Sequence, residues 1–368
     1  MARTPLALPD FPWDSLVPFG TIARTHPDGM VDLSVGSPVD PTPAIIRESL
    51  ATATDAHAYP TVMGTVQLRE AIVEWFERRR GVSGLTVDHV LPTVGSKELV
   101  ALLPQMLGLG KGDVVVFPTV AYPTYAIGAA LVGATAVASD NPAEWPENTA
   151  LVWLNSPGNP DGRVLDTDQL RAAVARAREL GAVIASDECY AELNWNGVDP
   201  TPSILDPEVI GDDRSSVLAV YSLSKQSNLA GYRAAFVAGC SHLISELLAV
   251  RKHVGLIVPG PVQAAMATAL QDDAHVAEQR ELYRARRAKL LPALERAGFR
   301  IDDSVAGLYL WATKNEDSWQ TVGDLAQAGI LVVPGSFYGE SPARHVRIAL
   351  TASDATIADA VARLNLLA

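Results

Sequence analysis

The feature that most constrains the fold is an alternation of short apolar runs with helical segments between residues 66 and 240. Five β-branched runs predict strands, at Asp113–Phe117, Leu151–Leu154, Ala182–Ser186, Val217–Tyr221 and Ala234–Ala238. Helical periodicity predicts helices at Val66–Arg80 (with Gly81 as a stop), Glu98–Leu107 and Asp168–Leu180. Strands that are apolar along their length and alternate with helices indicate an α/β fold, in which a mostly parallel sheet is covered on both faces.

The pattern differs at both ends of the chain. The first 40 residues are rich in Pro and Asp and predict an irregular arm. Beyond Pro259, a charged helical stretch from Pro261 to about Leu290 precedes short strands and a last helix, at Leu308–Trp311, Ile330–Val333, Val346–Leu350 and from Asp354. This α+β pattern predicts a smaller second domain. We expect an N-terminal arm at residues 1–40 that contributes to the small domain, a large domain at 41–275 and the small domain at 276–368.

Composition excludes several classes of function. The 368 residues include 48% hydrophobic residues, enough for a full core, and carry a net charge of −13. An acidic chain lacks the basic surface that nucleic acid requires. We find no apolar run long enough to span a membrane, no signal peptide, and only two cysteines, Cys189 and Cys240. The seven histidines form no His-Glu-x-x-His pair. We expect a cytoplasmic protein without a metal, a membrane or a nucleic-acid partner.

Polar residues follow three of the predicted strands. These segments are 155–162, 187–190 and 222–225, the last of them continuing to Gly231-Tyr232-Arg233. Ligands of open α/β sheets bind outside the carboxyl ends of the strands, so these segments are the candidate site.

Their chemistry points to a phosphate-bearing cofactor. A lysine just beyond a buried strand, such as Lys225, can lose solvent and act as a nucleophile toward carbonyls, although alone it is more typical of a surface. Arg233 offers a planar fork suited to phosphate, and Ser222 and Ser224 add hydroxyls. Gly95-Ser96-Lys97 opens a helix whose N–H groups favour an anion. With Asp187 as a partner for a pyridinium nitrogen, the set is what pyridoxal phosphate (PLP) requires.

The segment Ser222-Leu-Ser-Lys225 through Gly231-Tyr-Arg233 resembles the Ser-x-Ser-Lys-x(5)-Gly-x-Arg motif of the class I/II aminotransferases, which are fold-type I PLP enzymes. The resemblance covers nearly the whole chain and its motifs come in family order. They are Tyr59-Pro60 with Gly64, Gly95-Ser96-Lys97, Tyr122-Pro123, Asn159-Pro160-x-Gly162, Asp187-x-x-Tyr190, Lys225, Arg233 and Arg347. Overall, the chain is most similar to bacterial N-succinyl-LL-2,6-diaminopimelate:2-oxoglutarate aminotransferases.

The resemblance implies a role for each matched residue. Lys225 anchors the cofactor covalently and carries the proton, while Asp187 keeps the pyridine nitrogen protonated. Tyr190 and Asn159 bond the phenolic oxygen. The remaining implied roles are a ring stack for Tyr122, phosphate contacts for Gly95, Ser96, Lys97, Ser222, Ser224 and Arg233, a phosphate contact across a homodimer for Tyr59, and contacts with the substrate α-carboxylate for Arg347, Gly36 and Asn159.

Simpler roles compete at some of these positions. Gly36 can serve a turn, Tyr59 an interface and Tyr122 loop packing. Arg347 lies within a predicted strand, where a buried charge needs a partner.

The reaction also has alternatives. The leading prediction is transamination between an amino acid and a 2-oxo acid, with 2-oxoglutarate and glutamate as one pair. C–S lyases, decarboxylases and synthases use the same cofactor parts, and a silent PLP-binding sensor is the alternative outside enzymes. Among transaminases, the alternative donors are LL-diaminopimelate, alanine and aspartate.

Overall fold

The computed structural model describes residues 8–197 and 200–367. The first seven residues of the predicted arm and the last residue of the predicted small domain lie outside this range. The strands are β1 (Val31–Asp32), β2 (Val90–Val94), β3 (Val114–Phe117), β4 (Thr135–Ala138), β5 (Thr149–Asn155), β6 (Val183–Asp187), β7 (Val217–Ser222), β8 (Ala234–Gly239), β9 (Arg300–Asp302), β10 (Tyr309–Thr313), β11 (Ile330–Leu331), β12 (Val333–Pro334) and β13 (His345–Ala349).

The helices are α1 (Val17–Arg24), α2 (Ala44–Thr52), α3 (Val66–Arg80), α4 (Ser96–Met106), α5 (Thr124–Val132), α6 (Thr167–Leu180), α7 (Pro207–Ile210), α8 (Leu223–Gln226), α9 (Ser241–Val254), α10 (Gly260–Gln271), α11 (Ala274–Arg296), α12 (Ser318–Gln327) and α13 (Asp354–Asn365). Short 3-10 turns cover Pro12–Leu16, Val87–His89, Pro142–Glu144, Ala230–Tyr232 and Gly335–Tyr338. Within the described part of the chain, none of these helices is both long and apolar enough to cross a membrane. The cytoplasmic location stays a prediction.

A seven-stranded sheet in the order β2-β8-β7-β6-β5-β3-β4 forms the larger part of the fold. Strands β3 to β7 are parallel, whereas β8 pairs antiparallel with both β7 and β2. This mixed sheet, with apolar clusters on both faces, confirms the predicted α/β class. We did not predict β2, because it contains Pro92; its edge position explains how the proline is tolerated.

A second apolar core lies around the C-terminal strands. The antiparallel sheet β12-β13-β10-β9 forms one part of it. Strand β1 pairs in parallel with β11, which ties the N-terminal segment to this core. The domain limits at residues 40 and 275 stay predictions.

Three local expectations are wrong. Residues before 40 are not wholly irregular, since α1 buries Gly20 and Ala23. The single long helix is two helices, because the Asp272 carboxylate accepts hydrogen bonds from the backbone of residues 274 and 275 and so starts α11. The strand expected at Ile330–Val333 is divided between β11 and β12, which belong to different sheets.

Local signals explain the elements that lead into the site. Helix α3 begins at Thr65, whose side chain accepts from the Leu68 N–H, and ends at Gly81 with φ 66°. Strands β5, β6 and β7 are neighbours in the sheet, and Asn155 pairs with Asp187 in register. Their carboxyl ends therefore meet at one edge of the sheet, where the candidate site lies.

Candidate active site

A cavity of about 470 Å³ opens at the carboxyl ends of β5, β6 and β7. It brings together most of the residues predicted from the sequence. The lining residues at the end next to α4, called here the α4 end, are Ser96, Lys97, Ser222, Ser224 and Arg233. Those around its middle and opposite end are Gly36, Tyr122, Asn159, Asp187, Tyr190, Lys225 and Arg347.

Lys225 lies on α8, the short helix that directly follows β7. Its ammonium donates a hydrogen bond to the backbone carbonyl of Gly36. Burial, together with the positive charges of Arg347 and Arg233, lowers the pKa of Lys225, although Tyr309 opposes this shift. A lysine with a lowered pKa has more of the neutral amine that attacks carbonyl carbon.

Asp187 ends β6 and is buried. Its Oδ2 accepts from the Tyr125 hydroxyl at 3.0 Å, and its Oδ1 accepts from the Cys189 N–H at 3.2 Å. Burial raises the pKa of Asp187, and these hydrogen bonds oppose the rise. It forms no ion pair with any residue in the ranges 8–197 and 200–367. A buried carboxylate without a cation fits the pyridinium N–H of PLP.

The α4 end has the groups that a phosphate requires. Helix α4 starts at Ser96, and no capping side chain accepts hydrogen bonds from its first N–H groups. These N–H groups are therefore available to a ligand. Gly95 precedes it with φ 79°, and a Cβ there would collide with the guanidinium of Arg233. Ser222 Oγ lies 2.8 Å from Ser224 Oγ. A helix N-terminus, an arginine fork and hydroxyl donors fit a phosphate dianion.

Arg347 lies on β13 at the opposite end, with only 3% of its surface exposed. Its guanidinium donates to Asn159 Oδ1 at 3.1 Å and to the Ser34 carbonyl at 2.7 Å. The rings of Tyr309 and Tyr338 lie 4.0 and 5.2 Å from it. Its Nε has no hydrogen-bond partner, and no described residue pairs with its charge. A buried cation without an anion favours a carboxylate ligand.

Tyr190 and Asn159 lie between the two ends. The Tyr190 hydroxyl is 3.3 Å from that of Tyr309, and burial raises the pKa of Tyr190 well above 10. The backbone N–H of Asn159 donates to Asn155 Oδ1 at 2.8 Å, which fixes the loop.

Lys97 lines the cavity, and its contact with a phosphate stays a prediction. Its ammonium lies 5.7 Å from the Tyr122 ring and 5.8 Å from the Phe11 ring, and forms no ion pair with a residue that the structure describes. A second, largely apolar cavity of about 910 Å³ begins here, and shares Phe11, Trp13, Lys97 and Tyr122 with the first. Only the backbone N–H of Lys97 is placed at the N-terminus of α4.

The structure leaves Tyr59 outside the cavity, with 97% of its surface exposed. Gly36 lies inside it, and a Cβ at this position would collide with the Tyr309 hydroxyl. A glycine at this position therefore lets the backbone approach the Tyr309 side chain closely, and its role is not limited to a turn.

The residues of the site that were not predicted include Tyr125, Asn155 and Tyr309. Asn155 belongs to the polar segment 155–162, and its position at the end of β5 is a usable signal. Tyr125 lies among the apolar residues of α5, and Tyr309 lies within a predicted strand. In the local sequence, both look like ordinary aromatic residues of the core.

Comparison with known proteins agrees with this geometry. The family model "Aminotransferase class I and II" matches residues 28–364. Probable aminotransferase Rv1178 of Mycobacterium tuberculosis is 54% identical over 98% of this chain and 86% of its own. The 4-dedimethylamino-4-oxo-anhydrotetracycline transaminase OxyQ of Streptomyces rimosus is 55% identical over 97% of this chain and 99% of its own.

The chain is also similar to a solved structure, N-succinyldiaminopimelate aminotransferase of Mycobacterium tuberculosis. The TM-score is 0.85 at 27% identity, covering 96% of this chain and 97% of that one. The family match, the relatives and the arrangement of the site agree, and the chain therefore belongs to the class I and II aminotransferases, which depend on PLP and act on amino acids and 2-oxo acids.

Proposed function

We propose that this aminotransferase transfers the amino group of N-succinyl-LL-2,6-diaminopimelate to 2-oxoglutarate. The observation that carries the proposal is the second cavity, which shares Phe11, Trp13, Lys97 and Tyr122 with the first. A substrate with an amino-acid head and a long acylated tail would extend across both. The likeness to N-succinyldiaminopimelate aminotransferase of Mycobacterium tuberculosis supports the same substrate.

In this proposal the α4 end of the cavity would hold the cofactor phosphate. When bound, PLP supplies an electron sink for the bonds at the substrate Cα. The phosphate would be held by the α4 N-terminus after Gly95, that is by the backbone of Ser96 and Lys97, and by side chains of Ser222, Ser224 and Arg233. Asp187 would keep the pyridine nitrogen protonated, and Tyr122 would stack on the ring.

The reacting atoms lie between Lys225 and Arg347. As general base, Lys225 Nζ would take the proton from the substrate Cα, and as general acid it would give that proton to the cofactor carbon bonded to the substrate nitrogen. Tyr190 and Asn159 donate to the phenolic oxygen of the cofactor. Arg347 binds the α-carboxylate through two parallel N–H bonds, with the Gly36 backbone beside it.

Lys97 is the one basic residue among the described residues that line the second cavity, which also has Asp10 and Glu340 in its wall. Its ammonium has no carboxylate partner among the described residues, so it can pair with the distal carboxylates of the donor. Lys97→Met should raise the KM of the succinylated donor about tenfold and leave that of alanine within about twofold. An equal effect on both donors would place the lysine elsewhere.

A donor panel tests the substrate. With 2-oxoglutarate as acceptor, kcat/KM for N-succinyl-LL-2,6-diaminopimelate should exceed that for LL-diaminopimelate, alanine or aspartate by at least about tenfold. A stoichiometric half-reaction, followed by the cofactor absorbance, separates transamination from lyase chemistry and from a silent sensor. A lower value for the succinylated donor would overturn the substrate and leave the reaction standing.

A second candidate follows from OxyQ, whose name describes transamination of a polycyclic ketone. The second cavity has aromatic walls, including Phe11, Trp13, Phe117 and Phe337, which suit a flat apolar acceptor. If this candidate is right, amination of an anhydrotetracycline ketone will exceed that of N-succinyl-2-amino-6-oxopimelate in kcat/KM. The opposite ranking supports the diaminopimelate substrate.

We also propose a homodimer, because Tyr59 is almost wholly exposed although the family pattern gives it a phosphate contact. Heterodimers of Tyr59→Phe and Lys225→Ala subunits test it. If Tyr59 acts across the interface, both changes fall in one site and the other site is intact. If both sites stay impaired, Tyr59 acts within its own chain.

A further inference from the structure

Tyr309, the first residue of β10, lies between the two ends of the cavity. It is buried, with 3% of its surface exposed. Its ring faces the guanidinium of Arg347 at 4.0 Å, and its hydroxyl oxygen lies 3.3 Å from that of Tyr190. One side chain therefore contacts the proposed carboxylate clamp and the proposed partner of the cofactor's phenolic oxygen.

The ring constrains the guanidinium of Arg347. The hydrogen bonds to Asn159 Oδ1 and the Ser34 carbonyl hold two of its nitrogens. A flat aromatic face at 4.0 Å limits rotation of the guanidinium plane, and a bidentate carboxylate needs that plane to be fixed. Tyr338 is farther, at 5.2 Å, and does not replace this contact.

The hydroxyl is held in one place. Gly36 packs against it so closely that a Cβ would collide with it, and Lys225 donates to the carbonyl of the same glycine. Burial favours the neutral form of Tyr309, but the positive charges of Arg347 and Lys225 prevail and lower its pKa below the usual 10. The pKa of Tyr190 is raised. The Tyr309 hydroxyl is therefore more acidic than the Tyr190 hydroxyl. The two hydroxyls are buried and lie within hydrogen-bond distance of each other.

We propose that Tyr309 is a positioning residue for both Arg347 and Tyr190. Its ring sets the plane of the Arg347 guanidinium, and its hydroxyl holds the hydroxyl of Tyr190 in place. The inference rests on the proposed roles of Arg347 and Tyr190. It does not depend on which amino donor the enzyme uses.

Two variants separate the ring from the hydroxyl. Tyr309→Phe keeps the ring, so the KM values of donor and 2-oxo acid should stay within about twofold. The pH midpoint of the absorbance change of the bound cofactor should rise by at least about 0.3 units, because Tyr190 then stabilises the ionised phenolic oxygen less well. Tyr309→Leu removes the ring, and both KM values should rise at least about tenfold with PLP affinity within about twofold.

Tyr283→Phe is the matched control. Tyr283 is a buried tyrosine of the same apolar core and lies outside both cavities, so its loss of a hydroxyl should leave the midpoint unchanged. If Tyr309→Leu does not fold, Tyr309→Met takes its place, since it keeps more volume without a ring. The absorbance titration uses no substrate, so it stands even if the proposed donor is wrong.

Two results would overturn the proposal. One is a midpoint in Tyr309→Phe within 0.1 units, on the order of measurement error, of that in Tyr283→Phe. The other is a ring-deleted variant that keeps both KM values within about twofold of wild type.

Discussion

The two sides of the candidate active-site cavity, the proposed cofactor side and the proposed substrate side, are built in different ways. The cofactor side comes from one sheet: Asp187 ends β6, and Lys225 lies on α8, which directly follows β7. The substrate side is assembled from distant segments, since Arg347 on β13 contacts Ser34 near β1 and Asn159 after β5. The cofactor side therefore depends on strand order, which a single sheet fixes. The substrate side depends on how the N-terminal segment and the C-terminal sheet pack against the larger sheet.

The largest effect should come from the cofactor side. Lys225→Ala should abolish turnover, because the lysine is both the covalent anchor and the carrier of the Cα proton. The protein should still fold and bind PLP noncovalently, since Asp187 and Arg233 are unchanged. Steady-state assays and absorbance spectra measure both properties. Turnover like that of wild type would disprove the site.

Tyr125→Phe should have a smaller effect on the same side. The hydroxyl of Tyr125 donates to Asp187 at 3.0 Å in a buried setting. Its loss removes a hydrogen bond to a charged group, about 1.5 kcal/mol, and raises the pKa of Asp187 further. We expect kcat/KM to fall about tenfold for every donor, with KM for the 2-oxo acid little changed. A donor-specific loss would instead place Tyr125 on the substrate side.

The smallest effect concerns stability on the substrate side. Burial raises the pKa of Asp161 from 3.8 to about 6, in the loop that carries Asn159. A carboxyl whose pKa is higher in the folded state destabilises the protein once it is ionised. For Asp161 the free energy of unfolding should fall as pH rises from about 4 to about 6, and stay lower at higher pH. Asp161→Asn should therefore gain about 1 kcal/mol relative to wild type at pH 7 and little at pH 4. Denaturant unfolding at both pH values measures this, and an equal difference at both would refute it.

The same contrast explains what the sequence could predict. Asp187 and Lys225 each follow a predicted apolar strand within a few residues, and the rule for open α/β sheets places such strand ends together. Arg233 directly precedes β8, and because β8 is antiparallel to β7 its start lies at the same edge of the sheet. Arg347 was recognisable because a charge inside a strand needs a partner, and because it completed the family order of motifs. The remaining substrate contacts depend on packing between distant segments.

Tyr309 shows why those contacts could not be predicted. Its importance depends on the register of β10 with β13 and on the approach of Gly36, and neither leaves a local pattern. Tyr125 is hidden for a similar reason, since it reaches Asp187 from a helix 62 residues earlier. In the fold, α1 was not predicted; it is eight residues long, has a proline in its first turn and packs against α12.

The central claim is that one cavity holds the cofactor at Lys225 and both substrates, in turn, at Arg347. Single-turnover half-reactions in both directions, with glutamate and then 2-oxoglutarate, test it in Arg347→Lys. A lysine cannot give two parallel N–H bonds, so both half-reactions should slow by at least about tenfold in kcat/KM, with PLP affinity unchanged. A defect in only one half-reaction, or a loss of PLP, would contradict the account.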